Sequence, residues 1–366
     1  MKDKQMAKYL VIKQEILRWL KSGRLKANDL MPSENEIAEQ FHVSRQTVRQ
    51  SLGELEQEGW LYRQQGKGTF VSNPSAQKGH GVQTIGVITT NISNYIFPLI
   101  VRGAEAVLRS KGYRLVLSST DNNKEKEREN LSSMMSQPLS GLIIEPTKSA
   151  EGNPNLNYFI SLDYQQIPYI MINERYSEMN CPYIKMDDEE GGFLAAQHLI
   201  ELGHRRIAGF FKTDDLQGVN RLKGFIRAHH QYEVPLLPDL VIHYSTEEKQ
   251  TKPYDSAIAL LGSPHVRPSA FVCYNDELAL HLLGAIRHCG MSVPLDISLV
   301  GFDDSNLATA TEVKLTTLSH PKSQLGTEAA ELLISMIEGK HRLDQQNPIV
   351  KIHKPELIIR ESTRLI

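Results

Sequence analysis

A chain of 366 residues is too long for one ordinary domain and comfortable for two or three. With 40% hydrophobic and 23% charged residues its composition is globular, which excludes a disordered or low-complexity polymer. The net charge of −2 hides an asymmetry, because residues 1–72 carry twelve Lys and Arg against nine Asp and Glu, a +3 segment ahead of a −5 remainder. Any anionic partner is therefore expected to meet the N-terminal segment.

No run of 18 apolar residues occurs, and the opening MKDKQMAKYL has no apolar core. Cys181, Cys273 and Cys289 are scattered, with no CxxC. These features lead to the expectation of a cytoplasmic protein with reduced thiols and neither a membrane span nor a secretory signal.

In chain order, PSENEIAEQF reads as a helix start, with Ser33 as the cap and Glu36 three residues later completing a capping box. That helix is expected to end near Phe41–His42, and a short turn leads to Ser44, a second N-cap. In the next helix Val48, Leu52 and Leu55 fall at i, i+4 and i+7, which defines a buried stripe. Arg45 and Arg49, with Gln46, Thr47 and Gln50, are left on its exposed N-terminal end. Two helices joined by a tight turn, with donors at the start of the second, can bring side chains to base edges in the major groove. Arginine suits this because its planar fork donates twice to guanine O6 and N7. The stretch WLYRQQGKGTFV then reads as two short strands around Gln64–Gly68. Gly66 and Gly68 permit positive φ, and Lys67 sits at the tip. Such a tip is a wing, placed to touch the minor groove or the backbone.

Residues 73–83, NPSAQKGHGVQ, read as a linker. From residue 84 the pattern changes to apolar runs separated by amphipathic segments: TIGVITT, YRLVLSST, GLIIEPT, IPYIMIN, RIAGFFK, DLVIHY, SAFVCYND and ISLVGFDD. Continuous apolar strands of this kind predict parallel sheets covered on both faces, and their number predicts two doubly wound sheets. Polar residues close several runs: Glu145 after GLII, Asn275 in SAFVCYN and Asp303 in LVGFD. Planar acceptors and donors at strand ends suit vicinal sugar hydroxyls, although each alone is equally a strand-end cap. His198 and His204, six apart, do not share a helix face, so no metal is expected. Neither a nucleophile elbow, nor HExxH, nor a phosphate-cradling glycine loop occurs, so no enzyme is expected. Asp187–Asp188 read as a helix cap.

Taken together, PSENEIA, VSRQTVR and GKGTFV resemble the winged helix of GntR-type regulators, over residues 9–72. The resemblance implies a DNA-binding domain over residues 1–72, contacting double-stranded operator DNA through Ser33, Glu34, Ser44, Arg45, Gln46, Thr47, Arg49, Lys67 and Gly68. The remainder resembles a different family. HLIELGHRRIAGF, GVNRLKGF, CYNDELAL, LVGFDD and LTTLSHP follow one another as in the effector domain of the lactose/galactose-repressor family. That resemblance implies the fold class α/β, with an N-terminal winged helix-turn-helix followed by two doubly wound α/β subdomains of the type I periplasmic-binding-protein kind. It also implies a sugar-binding and dimerising unit over residues 84–366. Three chain crossovers are expected, near residues 175–190, 302–308 and 320–330. Arg221 falls at the family's ligand-clamping arginine, which places Asp215 and Gln217 on the same loop, and Tyr95 and Phe97 in the aromatic cleft loop. With Glu145, Asn275 and Asp303 these make the expected effector site.

The pairing of the two modules resembles the bacterial repressors of L-arabinose utilisation, through TTNISNYIFP, EPTKSA, DDLQGVNR and PELIIRES. It implies a homodimeric repressor released by L-arabinose, with no cofactor and no membrane partner. The alternatives are another pentose, a hexose or a purine as effector, or a cytoplasmic sugar-binding protein outside transcription. The lactose-type hinge helix is not expected in NPSAQKGHGVQ, so coupling is expected to run through the spacing of the paired heads.

Overall fold

The computed structural model describes residues 8–72, 83–92, 95–340 and 347–366. Almost all of the linker segment 73–83 lies outside the described residues.

The head comprises α1 (Lys8–Lys21), α2 (Glu34–Phe41), α3 (Arg45–Gln57), β1 (Leu61–Gln64) and β2 (Gly68–Val71). Ser33 and Glu36 form the reciprocal capping box, His42 ends α2 in the left-handed conformation, and Ser44 caps α3. Val48, Leu52 and Leu55 are buried, and they pack with Ile12, Ile16, Ile37 and Trp60 into one small core. β1 and β2 pair antiparallel, Leu61 against Val71 and Gln64 against Gly68.

The first subdomain begins with β3 (Thr84–Thr89), α4 (Phe97–Ser110), β4 (Arg114–Ser119) and α5 (Lys124–Met135). It continues through β5 (Gly141–Ile144), α6 (Leu156–Tyr164), β6 (Tyr169–Asn173) and β7 (Tyr183–Met186). The chain then enters the second subdomain with α7 (Asp188–Glu201), β8 (Ile207–Lys212), α8 (Leu216–Gln231), β9 (Val241–Tyr244) and α9 (Lys252–Gly262). β10 (Ala270–Cys273), α10 (Asp276–His288), β11 (Ser298–Asp303), α11 (Leu307–Ala310) and β12 (Thr316–Ser319) follow. α12 (Lys322–Ile337) and β13 (Val350–His353) return to the first subdomain, and β14 (Leu357–Ile358) ends in the second.

The two six-stranded sheets have orders β13-β7-β6-β5-β3-β4 and β14-β12-β11-β10-β8-β9. Every described pairing in them is parallel except β12 with β14. Each sheet is sandwiched between two apolar layers, which explains the all-buried β5, β6, β10 and β11. All eight apolar runs are strands, and YIKM, TTLS, VKIH and LI add four more.

Three crossovers join the subdomains, but one of the expected positions is wrong. The chain crosses at Asp187 and again at His320–Pro321, within the first and last expected intervals. At residues 302–308 it does not cross: β11 is followed by α11 and by β12, which pairs with β11 in the same sheet. The remaining crossover lies at residues 354–356, between β13 in one sheet and β14 in the other. Each returning helix packs on its host with backbone nearly touching backbone. A Cβ on Gly224 of α8 would lie 1.8 Å from Glu189 O of α7, and one on Gly326 of α12 would lie 1.9 Å from Ile100 O of α4.

Candidate functional site

On the head, the N-terminal turn of α3 is exposed. Ser44 Oγ accepts from Thr47 N (3.2 Å) and lies 2.8 Å from Thr47 Oγ1, so both hydroxyls are ordered by the cap. Arg45 and Gln46 are exposed. Arg49 donates to both carboxylate oxygens of Glu34, at 3.0 and 3.3 Å, and this holds the Glu34 carboxyl below its usual range. The pair ties α2 to α3 and presets the arginine fork. Gly66 and Gly68 adopt φ of 76° and 118°, which a side chain resists, and Lys67 between them is exposed at the wing tip. Ser33 is engaged in its cap, accepting from Glu36 N at 3.3 Å.

The second site is a cavity of about 670 Å³ between the subdomains, at the carboxyl ends of the strands. Tyr95, Phe97, Glu145, Asp215, Gln217, Arg221, Asn275 and Asp303 all line it. Glu145, just past β5, accepts from Thr90 N (2.8 Å), Thr90 Oγ1 (2.6 Å) and Asn173 Nδ2 (2.7 Å). Burial still raises its pKa, against the pull of these donors. Asp215 caps α8 through Gly218 N (2.7 Å) and also accepts from Lys212 Nζ and Tyr274 Oη, both at 2.9 Å. Burial disfavours its charge, but Lys212 outweighs that and its pKa falls. Asn275 caps α10 through Leu278 N at 2.9 Å. Cap and cavity lining are thus served by the same residues.

Arg221 is the most enclosed cation of the cavity. Its Nε donates to Asp188 Oδ1 (2.8 Å) and its Nη1 to Tyr274 O (2.5 Å), while its Nη2 lies 3.6 Å from Asp303 Oδ1. The guanidinium lies 3.6 Å from the Phe302 ring centroid and 4.7 Å from that of Tyr274. Burial works against its charge, and Asp188 and Asp303 overcome that and raise its pKa. Asp303 itself sits at φ 93°, a left-handed conformation held by its surroundings. Its Oδ2 accepts from Tyr95 Oη at 2.5 Å, and that hydroxyl also accepts from Asp276 N at 3.2 Å. Tyr95 therefore reaches from the first subdomain to the second at the base of the cleft. Its φ of 65° shows that the loop is bent to deliver it.

At one lip the subdomains touch directly. Lys148 donates to Glu247 (2.6 Å), Asn122 to Thr246 (2.5 Å), and Leu216 N to Ser149 Oγ (2.9 Å).

Two contributors escape the sequence reading. Lys212 closes RIAGFFK as Glu145 closes GLII, so the strand-end rule extends to it. The sequence reads Asp188 together with Asp187 as a helix cap. Asp187 caps α7 through Glu190 N at 3.0 Å, whereas Asp188 turns inward to Arg221, and burial pushes its carboxyl up to about 7. The two histidines have packing partners: His198 meets Thr363, and His204 meets Ser269 and Ser298.

The family models match the two modules separately. Residues 8–71 match the bacterial regulatory proteins of the gntR family, and residues 196–363 match a periplasmic binding protein-like domain. The chain is 61% identical to the arabinose metabolism transcriptional repressor of Geobacillus stearothermophilus, over 100% of both chains. It is 46% identical to the arabinose metabolism transcriptional repressor of Halalkalibacterium halodurans, over 97% of this chain and 96% of that one. Among solved structures, a LacI family regulator from Enterococcus faecium with bound ribose superimposes with a TM-score of 0.67. It is 28% identical, and the match covers 78% of this chain and 100% of that one.

Proposed function

The chain belongs to the arabinose metabolism transcriptional repressors, and from that premise we propose that L-arabinose is the ligand of its cleft and releases a homodimer from pseudo-palindromic operator DNA in the cytoplasm. It is a repressor of sugar-utilisation genes and not an enzyme. The observation that carries the ligand reading is the charge pattern of the cavity. Its two innermost cations are already committed, Lys212 to Asp214 and Asp215 and Arg221 to Asp188, while Glu145 and Asp303 add further acceptors. A phosphorylated sugar would meet an excess of carboxylates there. A neutral polyol can donate its hydroxyls to Glu145, Asp215 and Asp303, accept from Lys212 and Arg221, and rest its C–H face on Phe97 or Tyr95.

The lining comes from both subdomains, so a bound sugar links them and favours the closed arrangement by its differential affinity. Each chain carries one reading head, which spans one half-site, so a pseudo-palindromic operator calls for two chains. Titration calorimetry of the full chain against L-arabinose, D-ribose, D-xylose, D-glucose, hypoxanthine and ribose 5-phosphate tests the ligand. Tightest binding to L-arabinose, with release of operator in a gel shift, is the expected result. Preference for the phosphate or the purine overturns it. Light scattering of the DNA complex checks the dimer, and a monomeric complex refutes it.

A further inference from the structure

The sensor body carries a surface on α5 and α6 that serves neither the cleft nor a sheet, and the head sits on it. Trp60, at the end of the turn that closes α3, is 1% exposed, and its ring lies 4.6 Å from that of Tyr164 on α6. Ile160 and Tyr164 pack against the head's own core. Gln165 donates its amide to Gly59 O at 2.6 Å, with the side chain fully inside the contact. Gly59 is required twice over. Its φ is 76°, and a Cβ there would meet Gln165 Nε2 at 2.5 Å and Met135 Cε at 3.1 Å. On the head side the contact is braced from behind. Lys13 of α1 donates to Glu54 (2.9 Å) and Glu58 (2.6 Å), which fixes the last turn of α3 against α1. A buried aromatic pair, a buried amide bond and a glycine fitted to the other surface are marks of a packed interface.

We propose that the α5–α6 face is the docking surface for this chain's own DNA-reading head, so that head and first subdomain turn as one rigid body when sugar moves the subdomains. The idea rests on the sugar-released repression proposed above. Two features of geometry support it. First, docking uses the C-terminal end of α3 and leaves the reading end free: Ser44 to Thr47 lie a helix length away, about 20 Å for 13 residues, and Arg45 and Gln46 stay exposed. The docked head is therefore competent for DNA. Second, α5 joins the two regions in one rod. Its start follows Asn122, which bonds Thr246 across the cleft lip, and its end delivers Met135 to Gly59. A change at the lip reaches the head through a single helix, with no hinge helix needed.

Tyr164→Glu tests both halves in the full chain. The change puts a charge into the contact and leaves the buried side of α6, Phe159 and Leu162, intact. In a Trp19→Phe background Trp60 is the sole tryptophan, and its emission reads docking without any ligand. Tyr164→Glu is expected to shift that emission to the red and to leave L-arabinose affinity within about twofold of the parent. The ratio of operator affinity without and with L-arabinose should fall at least tenfold toward 1. Unshifted emission overturns docking, and shifted emission with a parental ratio overturns the rigid-body coupling. Gln165→Ala, which removes two hydrogen bonds and part of the packing but adds no charge, should fall between the two. A parent chain whose operator binding ignores L-arabinose refutes the inducer assignment instead, and the emission arm still decides docking.

Discussion

Replacing Arg221 with methionine keeps most of the side chain's length and removes only its charge and its donors. The arginine is 3% exposed and paired to Asp188, with Asp303 beside it. Its loss leaves two buried carboxyl groups without their nearest cation, with only Lys185 still acting on Asp188 from farther off, a change that typically costs about 3–5 kcal/mol. Burial already pushes Asp188 up to about 7, so it can take up a proton near neutrality, which favours the lower end, about 3 kcal/mol. At roughly 2–3 °C per kcal/mol for a unit of this size, the body's melting point should drop about 6–9 °C. Adding Asp188→Asn removes one orphaned acid and should recover about 2 kcal/mol, the sign of direct coupling. Far-UV circular dichroism follows the body. Emission follows the head and its contact with α6, since Trp19 and Trp60 both lie in the head, Trp60 against Tyr164, and none follows residue 72. L-arabinose affinity should fall at least tenfold in the single and double variants alike, because a buried charged hydrogen bond contributes about 1.5–3 kcal/mol. A loss below 1 kcal/mol with no recovery from Asp188→Asn would refute the coupled-charge reading.

Arg45→Ala should cost about 1–3 kcal/mol on specific operator and relax one base preference, while Lys67→Ala should weaken specific and random DNA alike and lower the salt slope by about 1, both read by fluorescence anisotropy across a salt series. Equal effects on both DNAs from Arg45→Ala would remove base readout from α3. Glu247→Ala breaks the exposed lip pair with Lys148 and should lower L-arabinose affinity about two- to fivefold in calorimetry with operator binding unchanged. His320, at the second crossover, is fully enclosed, and burial lowers its pKa to about 4. Its native form therefore binds fewer protons than the unfolded chain between about pH 6.5 and 4. The stability it permits is complete above pH 6.5 and is lost on acidification, by about 2 kcal/mol at pH 5. Urea melts of His320→Gln should show a flatter decline over that window, and a parental slope would assign the acid loss elsewhere.

The sequence made the sandwiched strands plain because a strand buried on both faces is a nearly unbroken apolar run, and six of the eight runs are such strands, the other two, β4 and β9, lying at the sheet edges. The four others were hidden for physical reasons. β7 and β13 alternate or face outward, β14 is two residues long, and β12 is TTLS. The threonines of β12 are buried because Thr317 donates to Asp276 Oδ1 at 2.6 Å, a partner 41 residues away. The misplaced crossover has the same origin. Whether the chain stays in a sheet after Asp303 depends on β12 finding β11, and no local signal announces that. In the cleft, strand ends and the loop before α8 were legible as polar punctuation after apolar runs. The Asp188–Arg221 pair was not, since its members lie 33 residues apart on two helices.

The three crossovers also decide how the sensor can be taken apart. Neither subdomain is a contiguous piece of chain: α12 and β13 complete the first after the whole of the second has been passed, and β14 with the final residues completes the second. The tail is stitched in, with Arg364 N donating to Ser298 Oγ and Ser362 Oγ to Leu299 O. A cut anywhere between β7 and β13 leaves two halves that each lack a sheet partner or a packed helix. The body should therefore unfold in a single cooperative transition, and a nascent chain cannot complete its second subdomain until β14 and Ser362–Arg364 have left the ribosome.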